Sequence, residues 1–467
     1  MFEKILSLIK GVWKMLTSQN VKQTLNVDVA VSTAMSEALT EWSDMYINQA
    51  GWLTTDIKSL NLPAAIASEI ARAVTIEMEV ELTGGPRADY LAEQFEPVMA
   101  KIRDQVEKGC AKGGLMMKPY VKGKAIAVDF VQADMFYPVA FDSSGNITSC
   151  VFADQKQQGD AYYTRLEYHE LGDGGVTIKN LAFRSTTKDM LGSQVPLASV
   201  ADWAVIEPEA TITGVDRPLY AYFKYPLSNN IDPTSPLGVS CYSRAVDLIE
   251  QADRQWSSLM WEFESGKRAI YVDALAFTKD TDGYTILPDK RLYRALNGSG
   301  NMDDEDMFHE WSPEFREASI TSGLDTILKR IEFNCGLAYG TLSDPQSIEK
   351  TATEIASAKQ RSQATIVSTQ KALQTALESL LYAMDIWATL GNLAPRGTFE
   401  TAFDFDDSLV VDKDVQFQQD MRLVTTGLMS KVEFRMRNFG EDKKTATEKI
   451  AAVKAEQPEP ADMFAGA

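Results

Sequence analysis

The sequence predicts an α+β fold, on three observations. Helical periodicity dominates residues 31–108, and turn-punctuated β-rich segments follow from 115 to 184. Between 236 and 339 the pattern goes from helix to short strands and back to helix. After a polar loop, residues 351–390 then run without Gly or Pro.

In chain order, Phe2, Ile5, Leu6, Ile9, Trp13 and Leu16 line one face of an amphipathic stretch over Met1–Leu16, with Lys4, Lys10 and Lys14 off it. A membrane surface would suit such a helix. Docking on its own protein or a neighbouring subunit is the favoured reading. Val31–Gln49 forms a second helix, with Trp42 and Tyr46 four apart. A third starts at Leu62-Pro63, turns Ile66, Ile70, Val74 and Met78 inward, and ends at Gly84-Gly85. Arg87–Lys108 is a fourth, closed by Gly109.

Hairpins follow: Leu115–Val121 with Lys124–Val131, and Tyr162–Leu171 with Val176–Arg184. Asp142–Asn146 turns the chain between Phe136–Phe141 and Ile147–Ala153. These strands are expected to form one antiparallel sheet, and Ala221–Pro236 reads as a connector. A helix opens at Gly238 and presents Val246, Ile249, Trp256, Met260 and Phe263 on one face to Gly266. Ala269–Val272 and Tyr284–Leu287 read as strands. The next helix starts near Pro313, packs Leu324, Ile327, Leu328 and Ile331, and breaks at Gly340. Thr351–Leu390 is a rod of roughly 60 Å at about 1.5 Å per residue. Thr398–Phe405 is a strand. Asp412–Leu428 is a helix striped by Phe417, Met421, Val424 and Leu428. Ser430 and Glu433 make a capping box, Phe439-Gly440 stops that short helix, and Glu441–Ala455 is the last one. From Gln457 onward the composition is that of a disordered tail.

The 467 residues carry 46 basic and 66 acidic side chains, a net charge of −20. Phosphate neutralisation needs Lys and Arg, so a basic nucleic-acid-binding surface is disfavoured. Acidity of this size either keeps the protein soluble or makes a wall that DNA passes without sticking. Cys110, Cys150, Cys241 and Cys335 are too scattered for a disulfide framework or a Cys-x-x-Cys site and are expected to be reduced and buried. No apolar run reaches the ~18 residues that span a bilayer.

The sequence has no P-loop, dinucleotide fingerprint or nucleophile elbow. With only His169 and His309 for imidazole, it points to no metal site, no cofactor and no enzyme. Asp404, Asp406 and Asp407 lack the glycine and distal glutamate of an EF-hand and read as a solvated turn. Asp303, Asp304, Glu305 and Asp306 form an acidic patch. It is either a solvated loop or, if copies share an axis, a ring of negative charge.

Asp406-Asp407-Ser408, Asp412-Lys413-Asp414, Gln419-Asp420, Gly427–Met436 and Phe439–Asp442, with Thr351–Ile355 at the head of the long helix, carry a resemblance: in these segments the chain resembles the portal protein family of long-tailed phages and prophages. The resemblance runs from about Trp42 to Ala452 and leaves Met1–Leu16 without a counterpart. The resemblance implies a phage portal fold. An N-terminal helix (1–30) precedes an α/β wing (31–235). The stem is two helices (236–266 and 312–339) joined by a small α/β clip (267–311). A tunnel loop (340–350) leads to a long helix returning to the wing (351–398). A helical crown (399–456) and a tail (457–467) complete it.

The resemblance also implies a ring of about twelve subunits at one capsid vertex, assembled in the bacterial host cytoplasm and retained in the virion. Double-stranded DNA would be packaged and ejected through it. The partners implied are the terminase large subunit, head-completion and tail adaptor proteins, and the major capsid and scaffolding proteins, with no membrane. Twelve copies would carry about −240, and a Debye length of ~8 Å leaves only wall residues to act on the duplex. Ser347, Glu349 and Lys350 in the tunnel loop, with Lys267 and Arg268, are the candidates for DNA contact. Asp303–Asp306 are the acidic candidates for the lumen. With no nucleotide loop in this chain, ATP hydrolysis falls to a partner. Another capsid or head–tail connector protein is the alternative, and a carboxylate-dependent hydrolase is a weaker one.

Overall fold

The computed structural model describes residues 24–188, 190–266, 269–273, 293–296, 308–311, 314, 316–344, 352–405 and 413–456. The chain is α+β and divides into two units, one of residues 1–76 and 80–403, the other of 77–79 and 404–467. Helix α1 (Thr33–Tyr46) is capped by the Ser32 side chain and buries Met35, Leu39, Trp42 and Met45. Helix α2 (Leu62–Thr75) starts at Pro63 and buries Ile66, Ile70 and Val74, as their spacing predicts. Met78 does not continue that face. It opens strand β1 (Met78–Thr83), whose period-2 alternation wins over the helical period.

Helix α3 (Pro86–Lys112) runs past Gly109, where the sequence suggested a stop. A Cβ at Gly109 would come 2.9 Å from the Phe223 ring, so this glycine serves close helix–strand packing. The terminator is Gly113, at φ 83°, where a Cβ would lie 2.6 Å from the Val239 carbonyl carbon.

The strands form two main sheets, not the single one expected. Strands β2 (Gly114–Lys122) and β3 (Ala125–Gln132) pair as the predicted hairpin. Strand β10 (Ala221–Lys224) completes their sheet, antiparallel to β2, where the sequence suggested only a connector. Four residues before a proline are too few to show a period, and the strand exists because its backbone pairs with β2.

The six-stranded sheet contains β4 (Phe136–Phe141), β5 (Ile147–Gln158), β6 (Ala161–Gly172) and β7 (Gly175–Ser185). The short strands β8 (Ser193–Val195) and β9 (Glu209–Ile212) both pair with β7. The Asp142 carboxylate makes the predicted turn by accepting from the Ser144 and Asn146 amides at 2.8 Å each. One face of this sheet buries Tyr137, Val151, Leu166, Tyr168 and Phe183. The other packs Val176 and Ile178 against Leu219 and Ala383. Within the second face Glu167 is held by Lys118 (2.7 Å), Arg165 (3.1 Å) and His169 (2.7 Å). Burial pushes its carboxyl up, but Lys118, His169 and Arg165 together hold it well below the usual range.

Helix α4 (Val246–Ser265) begins eight residues later than the sequence suggested. Tertiary contacts claim residues 236–245 instead. Gly238 lies on the Gly113 carbonyl, the Cys241 amide donates to the Cys110 carbonyl at 2.9 Å, and the Tyr242 hydroxyl donates to the Trp42 carbonyl at 2.9 Å. All four cysteines are free and buried. Strands β11 (Ala269–Asp273), β12 (Tyr293–Leu296) and β13 (Phe308–Trp311) form a three-stranded sheet, parallel between β11 and β12 and antiparallel between β11 and β13. The expected strand Tyr284–Leu287 lies outside the described residues.

Helix α5 (Glu317–Cys335) starts four residues after Pro313 and ends at Gly336, before the expected break at Gly340. Helix α6 (Ala352–Leu390) is the predicted rod. Arg87, 2% exposed, ties the start of α3 to the end of α6 through the Asp385 carboxylate (2.6 Å), the Thr389 hydroxyl and the Ala394 carbonyl. Strand β14 (Glu400–Phe405) pairs with β1.

The second unit holds α7 (Lys413–Thr425), α8 (Lys431–Phe439) and α9 (Lys443–Glu456). The predicted capping box is present: the Ser430 hydroxyl accepts from the Glu433 amide at 3.0 Å, and the Glu433 carboxylate accepts from the Ser430 amide at 3.2 Å. Met1–Leu16, Asp406–Ser408 and residues 457–467 lie outside the described residues.

Candidate functional site

Helices α4 and α5 run antiparallel, with the three-stranded sheet between them in sequence. Three contacts fix the direction. Asn334 donates to the Arg244 carbonyl at 3.0 Å and Gln255 to the Ile320 carbonyl at 3.3 Å. Arg316 closes the far end on Glu262, its guanidinium donating at 2.7 Å and its amide at 3.0 Å. The guanidinium beside it holds the Glu262 carboxyl below its usual range.

The buried side of α4 is Ile249, Ala252, Asp253, Leu259 and Glu262. This corrects the face read from sequence: Ile249 is on it, but Phe263 is exposed, and Val246, Trp256 and Met260 are half-buried. The apolar spacing misled because two acids take core positions. Asp253 accepts from the Trp52 indole at 3.0 Å and the Leu60 amide at 2.8 Å, and its burial raises its carboxyl. On α5, Leu324 and Ile331 are buried and Ile327 and Leu328 half-buried, as expected.

Helix α4 carries Asp247, Glu250, Asp253, Glu262 and Glu264 against one basic residue, Arg254. At its start, Asp247 and Glu250 add to burial in raising the Glu41 carboxyl, a sign of concentrated negative field. Asp253 and Glu262 are buried, so the charge that α4 presents outward is Asp247, Glu250 and Glu264 against Arg254. Trp261, at 65% exposure, gives the same helix an apolar outer position.

The root of the loop after α5 is tightly held. Glu332 is fully buried, and Oε1 accepts from the amides of Gly340 (3.1 Å), Leu342 (2.6 Å) and Ser343 (2.9 Å). Oε2 accepts from the Ser343 hydroxyl at 2.9 Å. Beside it Arg361, from α6, lies over the Phe333 ring at 4.4 Å and the Tyr339 ring at 5.5 Å. Gly336 sits at φ 71°, and a Cβ there would overlap the Thr365 side chain, so α6 seals the turn that ends α5. The Asp344 amide donates to Asp325 at 3.1 Å. The chain is thus pinned up to Asp344 and is helical again from Ala352.

The residues singled out from sequence, Lys267, Arg268, Asp303, Asp304, Glu305, Asp306, Ser347, Glu349 and Lys350, all lie outside the described residues. What the structure does bring together, at the turn after α5, is Glu332 with the amides of 340–343 and Arg361 with the Phe333 and Tyr339 rings, which the sequence reading passed over. The available signal was an acid beside the apolar Ile331, followed by a turn rich in Gly, Thr and Ser. Among the described residues, no helix is long and apolar enough to cross a membrane.

A model of the family described as phage portal protein, SPP1 Gp6-like, matches residues 90–460. None of the curated proteins matches the chain. Among solved structures, a chain from the neck of a native GTA particle, computed with C12 symmetry, aligns at 12% identity and a TM-score of 0.46, covering 91% of this chain and 98% of that one.

Proposed function

The chain belongs to the SPP1 Gp6-like phage portal protein family, and from that premise we propose that its copies close into a ring at one capsid vertex, a channel for double-stranded DNA. The family match carries this reading, because it spans the whole helix–sheet–helix unit, the long helix and the three terminal helices. In this reading α4 and α5 are the stem, and the acidic α4 keeps the wall from retaining phosphate. The sheet between them is the clip, facing the terminase large subunit during packaging and head-completion or tail adaptor proteins later. The loop rooted at Glu332 is the tunnel loop. Ser347, Glu349, Lys350, Lys267 and Arg268 meet the duplex, and Asp303–Asp306 add negative charge to the lumen. The wing meets the capsid and scaffolding proteins. Heterologous contacts that close generate a ring, for which about twelve members are expected.

Native mass of the purified protein and copy number per particle test this together. One ring of about twelve copies per particle is expected. A monomer or dimer under all conditions, or hundreds of copies per particle, would overturn it. Lys350→Glu should leave the ring intact and impair packaging or retention of DNA. Unchanged packaging would remove Lys350 from the channel.

A further inference from the structure

Helices α4 and α5 pack as a pair that is rooted at one end. The Tyr242 hydroxyl on the Trp42 carbonyl holds the run-in to α4, and Gly336 against Thr365 holds the end of α5. With 20 residues, α4 extends roughly 30 Å from that root. A small rotation at the root therefore moves its far end most.

The α1–α2 loop, residues 47–61, meets α4 part of the way along. Asn48 and Asn61 bound it at φ 58° and 59°, a conformation that asparagine tolerates. Its own hydrogen bonds give it shape. The Thr54 amide donates to the Ile57 carbonyl at 3.2 Å, and the Ser59 hydroxyl to Asn48 Oδ1 at 2.9 Å. Three donors of the loop then reach α4. The Trp52 indole at 3.0 Å and the Leu60 amide at 2.8 Å take the two oxygens of Asp253, and the Lys58 amide donates to the Ser257 hydroxyl at 2.8 Å. Asp253 and Ser257 stand one turn apart on one face of α4, about 10–17 Å from its start.

Asp253 is 2% exposed, and a carboxylate so placed costs free energy unless donors reach it. Its two donors lie 201 and 193 positions away in sequence, and both belong to the loop. An apolar side chain there would let α4 tilt over the loop at little cost, whereas the carboxylate is satisfied in one placement. We propose that the α1–α2 loop is a brace that sets the tilt of the α4–α5 pair, with Asp253 as its positioning residue. In the ring reading this tilt sets the width of the bore. That consequence rests on the reading; the brace itself does not.

Hydrogen exchange and a distance between nitroxide labels test the brace in the full chain. Trp52→Phe removes the indole N–H and keeps an aromatic ring, and Ser257→Ala removes the acceptor of the Lys58 amide. Both are milder than loss of the buried acid. If the loop holds α4 as a unit, Trp52→Phe speeds exchange of the Lys58 amide, and Ser257→Ala that of the Leu60 amide, by about fivefold or more. The labels sit on Lys101→Cys in α3 and Glu264→Cys near the far end of α4, in protein diluted with unlabelled copies; the four native cysteines are buried. With Trp52→Phe and Ser257→Ala combined, the label distance should shift or broaden by about 2 Å or more, while α3 amides exchange as in wild type. Asp253→Asn, which keeps only one acceptor, should move the labels likewise. Faster exchange confined to the amide whose own bond was deleted would overturn the proposal. So would an unchanged label distance in either variant. Labels that move as expected in a protein whose wild type forms no annuli would overturn the ring reading alone.

Discussion

Glu332→Ala removes the acceptor on which the loop root is built. Three backbone amides and one hydroxyl, spread from Gly340 to Ser343, converge on this carboxylate with no solvent exposure. Hydrogen bonds to a charged acceptor contribute about 1.5–3 kcal/mol each. The four share one group and one turn, so they do not add, and freed amides regain part of the loss from water as the turn opens. A net cost of about 3 kcal/mol follows, or roughly a hundredfold in the opening equilibrium. Exchange of the Leu342 and Ser343 amides should therefore rise about a hundredfold in the alanine variant. In Glu332→Gln, which keeps one carbonyl oxygen, it should rise about tenfold. The middle of α5, held by Leu324 and Ile331, should not change. Wild-type exchange at 340–343 in the alanine variant would refute the idea that this carboxylate fixes the loop root.

Arg361→Lys keeps the charge but loses the planar face stacked on Phe333 and Tyr339, and unfolding should detect a loss of about 1–2 kcal/mol. Asp134→Ala strands the buried Lys112 ammonium, now 2.5 Å from its partner, and should cost about 3–5 kcal/mol in a denaturant titration. The Glu441 carboxyl, hydrogen-bonded by Arg435 and then Lys449, is pulled from 4.5 down to about 2. Its contribution is therefore complete above about pH 4.5 and is lost as pH falls toward about 2. Amide protection over α8 and α9 in wild type and Glu441→Gln should differ at neutral pH and converge in that acid window.

Elements that carry their own signal were legible in the sequence. The long helix, the hairpins of β2–β3 and β6–β7, and the capping box at Ser430 all follow from period, turn residues and caps. Features set by distant partners were not legible. Gly109 looked like a helix stop because nothing local says that Phe223 lies against it. Residues 236–245 scanned as helix but are held by Gly113, Cys110 and Trp42, more than a hundred positions earlier. Asp253 and Glu262 took core positions on α4 because Trp52, Leu60 and Arg316 satisfy them, which no hydrophobic period can register. The loop root escaped for the same reason: Glu332 is an ordinary glutamate until four donors from the following turn reach it.

The most direct test is an image of purified protein seen along its assembly axis. Annular particles of about twelve lobes, with α4 and α5 of each copy around a central hole that admits duplex DNA, are the predicted result. Solitary globules, or annuli in which these two helices lie away from the hole, would contradict it.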